Sequence, residues 1–278
     1  MYIMIAERIK KPIYLSHILI AINIVVFAIM WLIDPKISTQ TLANFGAKVN
    51  FLLVDGQWYR LITPMFLHVD FFHLLFNCMA LAAFGTETEL IFGKKKFLVI
   101  YFVSGLAGSI GSFIFSSGVS AGASGAIFGL IGANIYLYTL NREVYKKVFG
   151  NSVLVLLVIN LIYGITNPLI DDSAHIAGLI GGFMITWSIG YLNQVQFTWK
   201  NYVSRVLLVI LMAGGLTVGY YKNLESEDYF LYKGSFQLND GEIQNAQLTF
   251  EKGSKKFPDN ADFKSVLQQI ENYKNTVK

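Results

Sequence analysis

The sequence predicts an all-α membrane protein: a six-helix core, a seventh C-terminal transmembrane helix and a small helical extramembrane tail. Three observations predict it. Of 278 residues, 54% are apolar and only 14% are charged, where about 25% charged is usual for soluble domains. The mean hydropathy is +0.49. The charges that do occur leave uninterrupted stretches long enough to cross a bilayer, which takes about 20 mostly apolar residues. These features exclude a disordered chain, a nucleic-acid-binding arm and an ordinary soluble enzyme. The one cysteine, Cys78, excludes an internal disulfide and a multi-cysteine metal site.

The elements follow from where charge is missing. Pro12 to Ile33 carries none and predicts a helix over 13–33. Its apolar core of about 20 residues exceeds that of a cleaved signal peptide, about 7–15, so the segment is expected to stay as a span. Residues 71–92 are apolar except for Glu87 and Glu89 near the end. Phe97 to Asn141 is charge-free and long enough for two helices, 97–116 and 124–140; the Gly- and Ser-rich segment Ser116–Ala123 divides them. Further helices are expected at 151–168, 174–192 and 202–221. The organisation expected is a cytoplasmic N-terminal segment at 1–12, the six-helix core at 13–201, the seventh helix at 202–221 and a soluble tail at 222–278.

Lys and Arg set the orientation. Arg8, Lys10 and Lys11 precede the first span; Lys94 to Lys96, Arg142 with Lys146 and Lys147, and Lys200 occupy alternate loops. These loops are expected on the cytoplasmic side, which puts the tail outside. In the tail, Gly241–Gly253 and Ala261–Tyr273 predict two amphipathic helices. Phe230, Gly234, Ala246, Phe250 and Pro258 fall near the positions of one tetratricopeptide-like repeat. A short helical hairpin without a partner fits the tail equally well.

Polar groups inside spans are costly and need a reason. His73 and Asn77 lie one turn apart on one helix face, with His68 shortly before them. Gly122-Ala123-Ser124-Gly125 opens a helix that continues with Gly129 and Gly132. Ala174-His175 opens another, followed by Gly178 and Gly182, a seam on which helices can approach backbone to backbone. Taken singly, these residues also fit an interfacial histidine with a helix-gluing asparagine, a serine cap and a structural histidine. Ser124 and His175 share a depth near the outer ends of their spans, as nucleophilic catalysis requires.

Together the clusters resemble the rhomboid family of intramembrane serine proteases, over residues 13–221. G-x-S-G at 122–125, H-x-x-x-N at 73–77 and A-H-x-x-G-x-x-x-G at 174–182 stand in the family's order. An aromatic–Arg motif, Trp58-Tyr59-Arg60, precedes His68, although Tyr59 stands where the family usually has Trp. Glu89 matches a carboxylate near the end of the second helix. Phe128 stands where Tyr is common, and its ring can still stack on His175.

The resemblance implies a Ser124–His175 dyad, with the Ser124 backbone N–H, Asn77 and His73 meeting the oxyanion. Phe128, Gly122, Gly125, Gly178, Gly182, Arg60 and His68 support the site. No Asp is expected to orient His175, and packing against Phe128 is expected to hold its ring. The helix at 151–168 and the Pro168–Asp172 loop form the expected substrate gate. The implied partners are single-pass or multi-pass transmembrane protein substrates, the lipid bilayer and a protein partner of the tail. No nucleic acid, cofactor or metal is expected, and the expected location is a bacterial cell membrane. Two rivals are a rhomboid-like protein that binds helices without cutting them and, with less support, a membrane transporter.

Overall fold

The computed structural model describes residues 14–140, 142–143, 145, 170–190 and 198–276. The expected helix at 151–168, the opening segment 1–12 and Pro168 lie outside the described residues. Those described form helices and turns, with one isolated antiparallel bridge, Lys48 to Ser120, and no strand among them.

Helix α1, Leu15–Ile33, starts where the Glu89 carboxylate accepts hydrogen bonds from the Leu15 and Ser16 backbone N–H groups, at 2.9 and 3.1 Å. A carboxylate here satisfies two of the donors that every helix start leaves free. The following segment, 34–70, forms two short helices, α2 (Thr39–Asn44) and α3 (Asn50–Val54), and two 3-10 turns, Trp58–Leu61 and Thr63–Phe66. Helix α4, Phe71–Ala80, passes through a π-helical turn, Leu81–Gly85, into α5, Thr86–Phe92. The expected span 71–92 is thus continuous, with a wide turn that periodicity does not predict.

Helices α6 (Lys94–Phe115), α7 (Ser124–Leu140) and α8 (Asp172–Ile189) form the centre, and α9 (Trp199–Asn223) packs against α6 and α8. Among the described residues four stretches are long and apolar enough to cross a membrane: Leu15–Ile33, Phe71–Phe92, Lys94–Phe115 and Trp199–Asn223. Helix α7 is apolar but shorter.

The helix ends differ from those expected at 97–116, 174–192 and 202–221. Charge marks where lipid begins, whereas capping marks where a helix begins. Gly93, at φ 80°, ends α5 and lets Lys94 to Lys96 form the first turn of α6. Asp171 caps α8 by accepting from the Ala174 N–H, and Gly190, at φ 65°, ends it. Asn201, Ser204 and Arg205 in the first turns of α9 bond to Trp187, Met184 and Ser188 near the end of α8, which draws Trp199 and Lys200 into the helix.

The centre packs backbone to backbone. A Cβ on Gly178 would collide with the Gly125 carbonyl, one on Gly182 with the Gly129 carbonyl, and one on Gly132 with the Leu179 carbonyl. The sequence seam is therefore a real contact of α7 with α8.

The tail contains three helices where two are expected: α10 (Glu227–Asn239), α11 (Ile243–Lys256) and α12 (Ala261–Thr276). Helix α10 is missed because its polar face is broken by aromatic residues. Phe230, Ala246, Phe250, Phe263 and Ile270 form the tail's core, and Gly234 lies under the Phe250 ring. The tail also sits on segment 34–70: Phe51 packs against Tyr229 and Phe236, and Asp55 accepts from Tyr229 Oη at 2.9 Å and Lys233 Nζ at 2.8 Å.

Candidate active site

Ser124 is the first residue of α7, delivered by a loop fastened at two points. Ser120 and Lys48 exchange both backbone hydrogen bonds, at 2.9 and 3.0 Å, and the Gly122 N–H donates to the Pro64 carbonyl at 2.9 Å. Gly122 has φ +137°, a conformation that favours glycine, and a Cβ there would stand 2.8 Å from His73 Cε1 and 3.5 Å from Ser124 Oγ. The missing side chain is what lets the His73 ring and the Ser124 hydroxyl flank the same turn.

His175 lies in the first turn of α8, 7% exposed. Its ring stacks on Phe128 at 4.2 Å between centroids and 9° between planes. Phe128 is one turn beyond Ser124, and Gly125 meets the turn carrying His175 at Ala174 and Gly178. The contacts that join the Ser124 turn to the His175 turn thus run through backbone and the Phe128 ring.

Asp70 caps α4, accepting from the His73 N–H at 2.8 Å. The His73 Nδ1 accepts from the Val69 N–H at 3.5 Å, so in the neutral ring Nε2 carries the hydrogen, 2.9 Å from the Gly122 Cβ position. Asn77 donates one amide hydrogen to the His73 carbonyl at 2.8 Å, an i−4 bond within its own helix. Its Oδ1 is buried without a partner among the described residues.

His68 is fully buried and sets its ring edgewise to His73, 5.2 Å away. Burial, with His73 beside it, lowers its pKa to about 3, so it is a neutral packing group. The Arg60 guanidinium donates to the Ala43 and Ala47 carbonyls at 2.6 and 3.0 Å and to Gln57 at 2.7 Å, pinning segment 43–60.

Two charged residues the sequence reasoning passed over link these parts. Lys48 is fully buried; its amine donates to Asn50 Oδ1 and the Gly118 carbonyl at 2.9 Å and to the Ser116 carbonyl at 3.0 Å. Burial pushes its pKa down to about 8 against the opposing attraction of Asp171. Burial raises the Asp171 carboxyl, but hydroxyls of Ser112 and Ser173 and the charge of Lys48 outweigh it and hold it below the usual carboxylate range. Asp-Asp-Ser before an apolar run is a capping signal that could have revealed Asp171. Nothing local marks Lys48.

A third is Asp172. Its Oδ1 lies 4.0 Å from His175 Nδ1, beyond hydrogen-bond length. Among the described residues no group of three His, Cys, Asp or Glu side chains could hold a metal ion. The arrangement offers a hydroxyl at a helix N-terminus, where the helix dipole favours developing negative charge, and neighbouring imidazoles.

The model of the Rhomboid domain matches residues 55–192. The chain is 39% identical over 234 residues to rhomboid protease GluP of Bacillus subtilis (strain 168), covering 84% of this chain and 46% of that protein. It is 35% identical over 164 residues to putative rhomboid protease YdcA of the same organism, covering 58% and 82%. With rhomboid-like protease 1 of Toxoplasma gondii it shares 32% over 216 residues, 72% of each chain. The chain thus spans less than half the length of the first of these.

Proposed function

The chain belongs to the rhomboid family, and on that premise we propose that it is an intramembrane serine endopeptidase that cleaves transmembrane helices of membrane proteins near the outer membrane face. It is a multi-pass integral membrane protein. Ser124 is the nucleophile and His175 the base. His175 takes the hydroxyl proton as Oγ attacks the peptide carbonyl, then returns a proton to the leaving amine. The oxyanion is met by the Ser124 N–H, by His73 Nε2–H and by the second amide hydrogen of Asn77, the first being used within the helix. The N-terminal segment is cytoplasmic and the tail lies outside, in a bacterial cell membrane.

The observation that carries this reading is the His175 ring held flat on Phe128, one turn beyond Ser124, across the Gly125–Gly178 contact. The test is a fluorophosphonate probe on purified full-length protein, together with cleavage of a transmembrane test substrate. Labelling that is lost in Ser124→Ala and His175→Ala, with cleavage lost alongside, is expected. Undiminished cleavage by either variant would sink the dyad.

A further inference from the structure

Two adjacent carboxylates open α8, and they are not equivalent. Asp171 is saturated: it accepts from the Ala174 N–H at 3.1 Å and from the hydroxyls of Ser112 and Ser173. Asp172 Oδ1 is shielded from solvent and has no hydrogen-bond partner among the described residues. The His175 Nδ1 facing it, 4.0 Å away, is likewise buried and without a partner. Two buried polar atoms left unpaired opposite each other are costly unless they meet at some stage of the working cycle.

The geometry allows them to meet. Residues three apart lie on one helix face, so the pair is neighbouring by construction. The stack on Phe128 fixes the plane of the ring, leaving the Asp172 side chain, a third exposed, as the part free to move. Hydrogen-bond length, about 2.8 Å, is about 1.2 Å shorter than their 4.0 Å separation, a distance within reach of a carboxyl that is free to turn. Hydrogen bonds of this kind are often long in a substrate-free site and tighten when the site is occupied.

We propose that Asp172 is a positioning residue for the Ser124–His175 dyad, on whose assignment this inference rests: its carboxylate accepts a hydrogen bond from His175 Nδ1–H in the occupied site. That bond fixes the tautomer in which Nε2 is unprotonated and available to Ser124. It also stabilises the imidazolium formed when Nε2 takes the Ser124 proton, and no bond is made or broken at Asp172 itself. Among the described residues the charged and titratable groups facing His175 are Asp171 and Asp172 from its own helix start and His73 from α4, while α7 contributes the neutral Phe128. Asp171 is committed to its cap, so Asp172 is the carboxylate with a free oxygen.

The experiment compares full-length wild type, Ser124→Ala, Asp172→Asn and Asp172→Ala in detergent, reading kcat and KM across pH and thermal unfolding. The expected result is a kcat about 10- to 100-fold lower in Asp172→Ala at nearly unchanged KM. Its kcat/KM profile should have the acid limb moved to lower pH. Asp172→Asn, which keeps an acceptor oxygen without the charge, should recover part of kcat but leave the limb displaced. Loss of cleavage in Ser124→Ala with an unchanged kcat and pH profile in Asp172→Ala overturns the Asp172 assignment alone. A drop in kcat with an unmoved acid limb and no recovery in Asp172→Asn also overturns it, in favour of a merely structural role. Retained cleavage in Ser124→Ala overturns the dyad, and the proposal with it.

Discussion

Gly178→Ala is the sharpest test of how the site is held. A Cβ on Gly178 would stand 2.9 Å from the Gly125 carbonyl carbon and 3.2 Å from its Cα, and closer still to its oxygen. The obstacle is backbone, which cannot swing aside as a side chain can, so the helices must part by about 1 Å. Overpacking of this kind costs about 1–3 kcal/mol of stability. Gly125 directly follows Ser124, and His175 is less than one turn before Gly178, so the parting falls on the space between hydroxyl and imidazole. A misplacement of about 1 Å costs on the order of 100-fold in rate. The assay is the rate of fluorophosphonate labelling alongside thermal unfolding, with Ile180→Ala, on a side chain 49% exposed, as the control on the same helix. Gly178→Ala should label far more slowly and melt earlier, and the control should match wild type. A labelling rate and a melting temperature both equal to wild type would refute the argument that backbone contact sets the site.

Other perturbations reach different parts. Asn77→Ala should lower kcat by about 100-fold or more, the usual consequence of losing one oxyanion donor; an unchanged kcat with a raised KM would assign Asn77 to substrate binding. Lys48 has its pKa lowered in the fold to about 8, so above that pH the unfolded chain binds more protons than the native one. Stability relative to Lys48→Met should therefore rise from pH 8 to 10 and be flat below, and a flat difference throughout would contradict burial of the charged amine. Truncation after Leu224 keeps Asn223, which bonds to Asn50 and to the Phe113 carbonyl, and should leave cleavage of a short transmembrane test substrate nearly intact while reducing cleavage of a cognate protein. Equal loss on both substrates would make the tail a structural part only. A reporter fused after Lys278 should be active only in its exported form, and activity of a cytoplasmic reporter would mean that α9 does not cross.

The four stretches long and apolar enough to cross a membrane were legible because lipid excludes charge, and that rule operates on the linear sequence. Helix ends were not, because Gly93, Asp171 and Gly190 terminate helices through backbone geometry and side-chain bonds rather than hydrophobicity. His73, Ser124 and His175 stood out as polar groups in apolar helices, and the fold brings their turns together. Lys48, Asp171 and Asp172 escaped for the opposite reason. A charge in a loop is ordinarily solvated, and only tertiary packing reveals that this amine is surrounded by carbonyl oxygens, or that one of two neighbouring carboxylates has no bond left to make. The π-helical turn at Leu81–Gly85 was equally invisible, since it adds one residue to a helix without altering its composition.

The seating of the tail on α3 bears on how the molecule is completed during synthesis. Asn50 bonds to Asn223, and Asp55 to Tyr229 and Lys233, pairs separated by 173 to 178 positions in the chain. The segment that carries Lys48 therefore emerges early and acquires these anchors only when α9 and α10 have been translated. Until then the strip pairing with Ser120 lacks the Asn50–Asn223 bond, one of its supports. Contacts of such long separation form late. A chain not yet translated as far as Asn223 would thus hold an unfinished hydroxyl turn, and competence would arrive with α9, after the rest of the bundle is already in the bilayer.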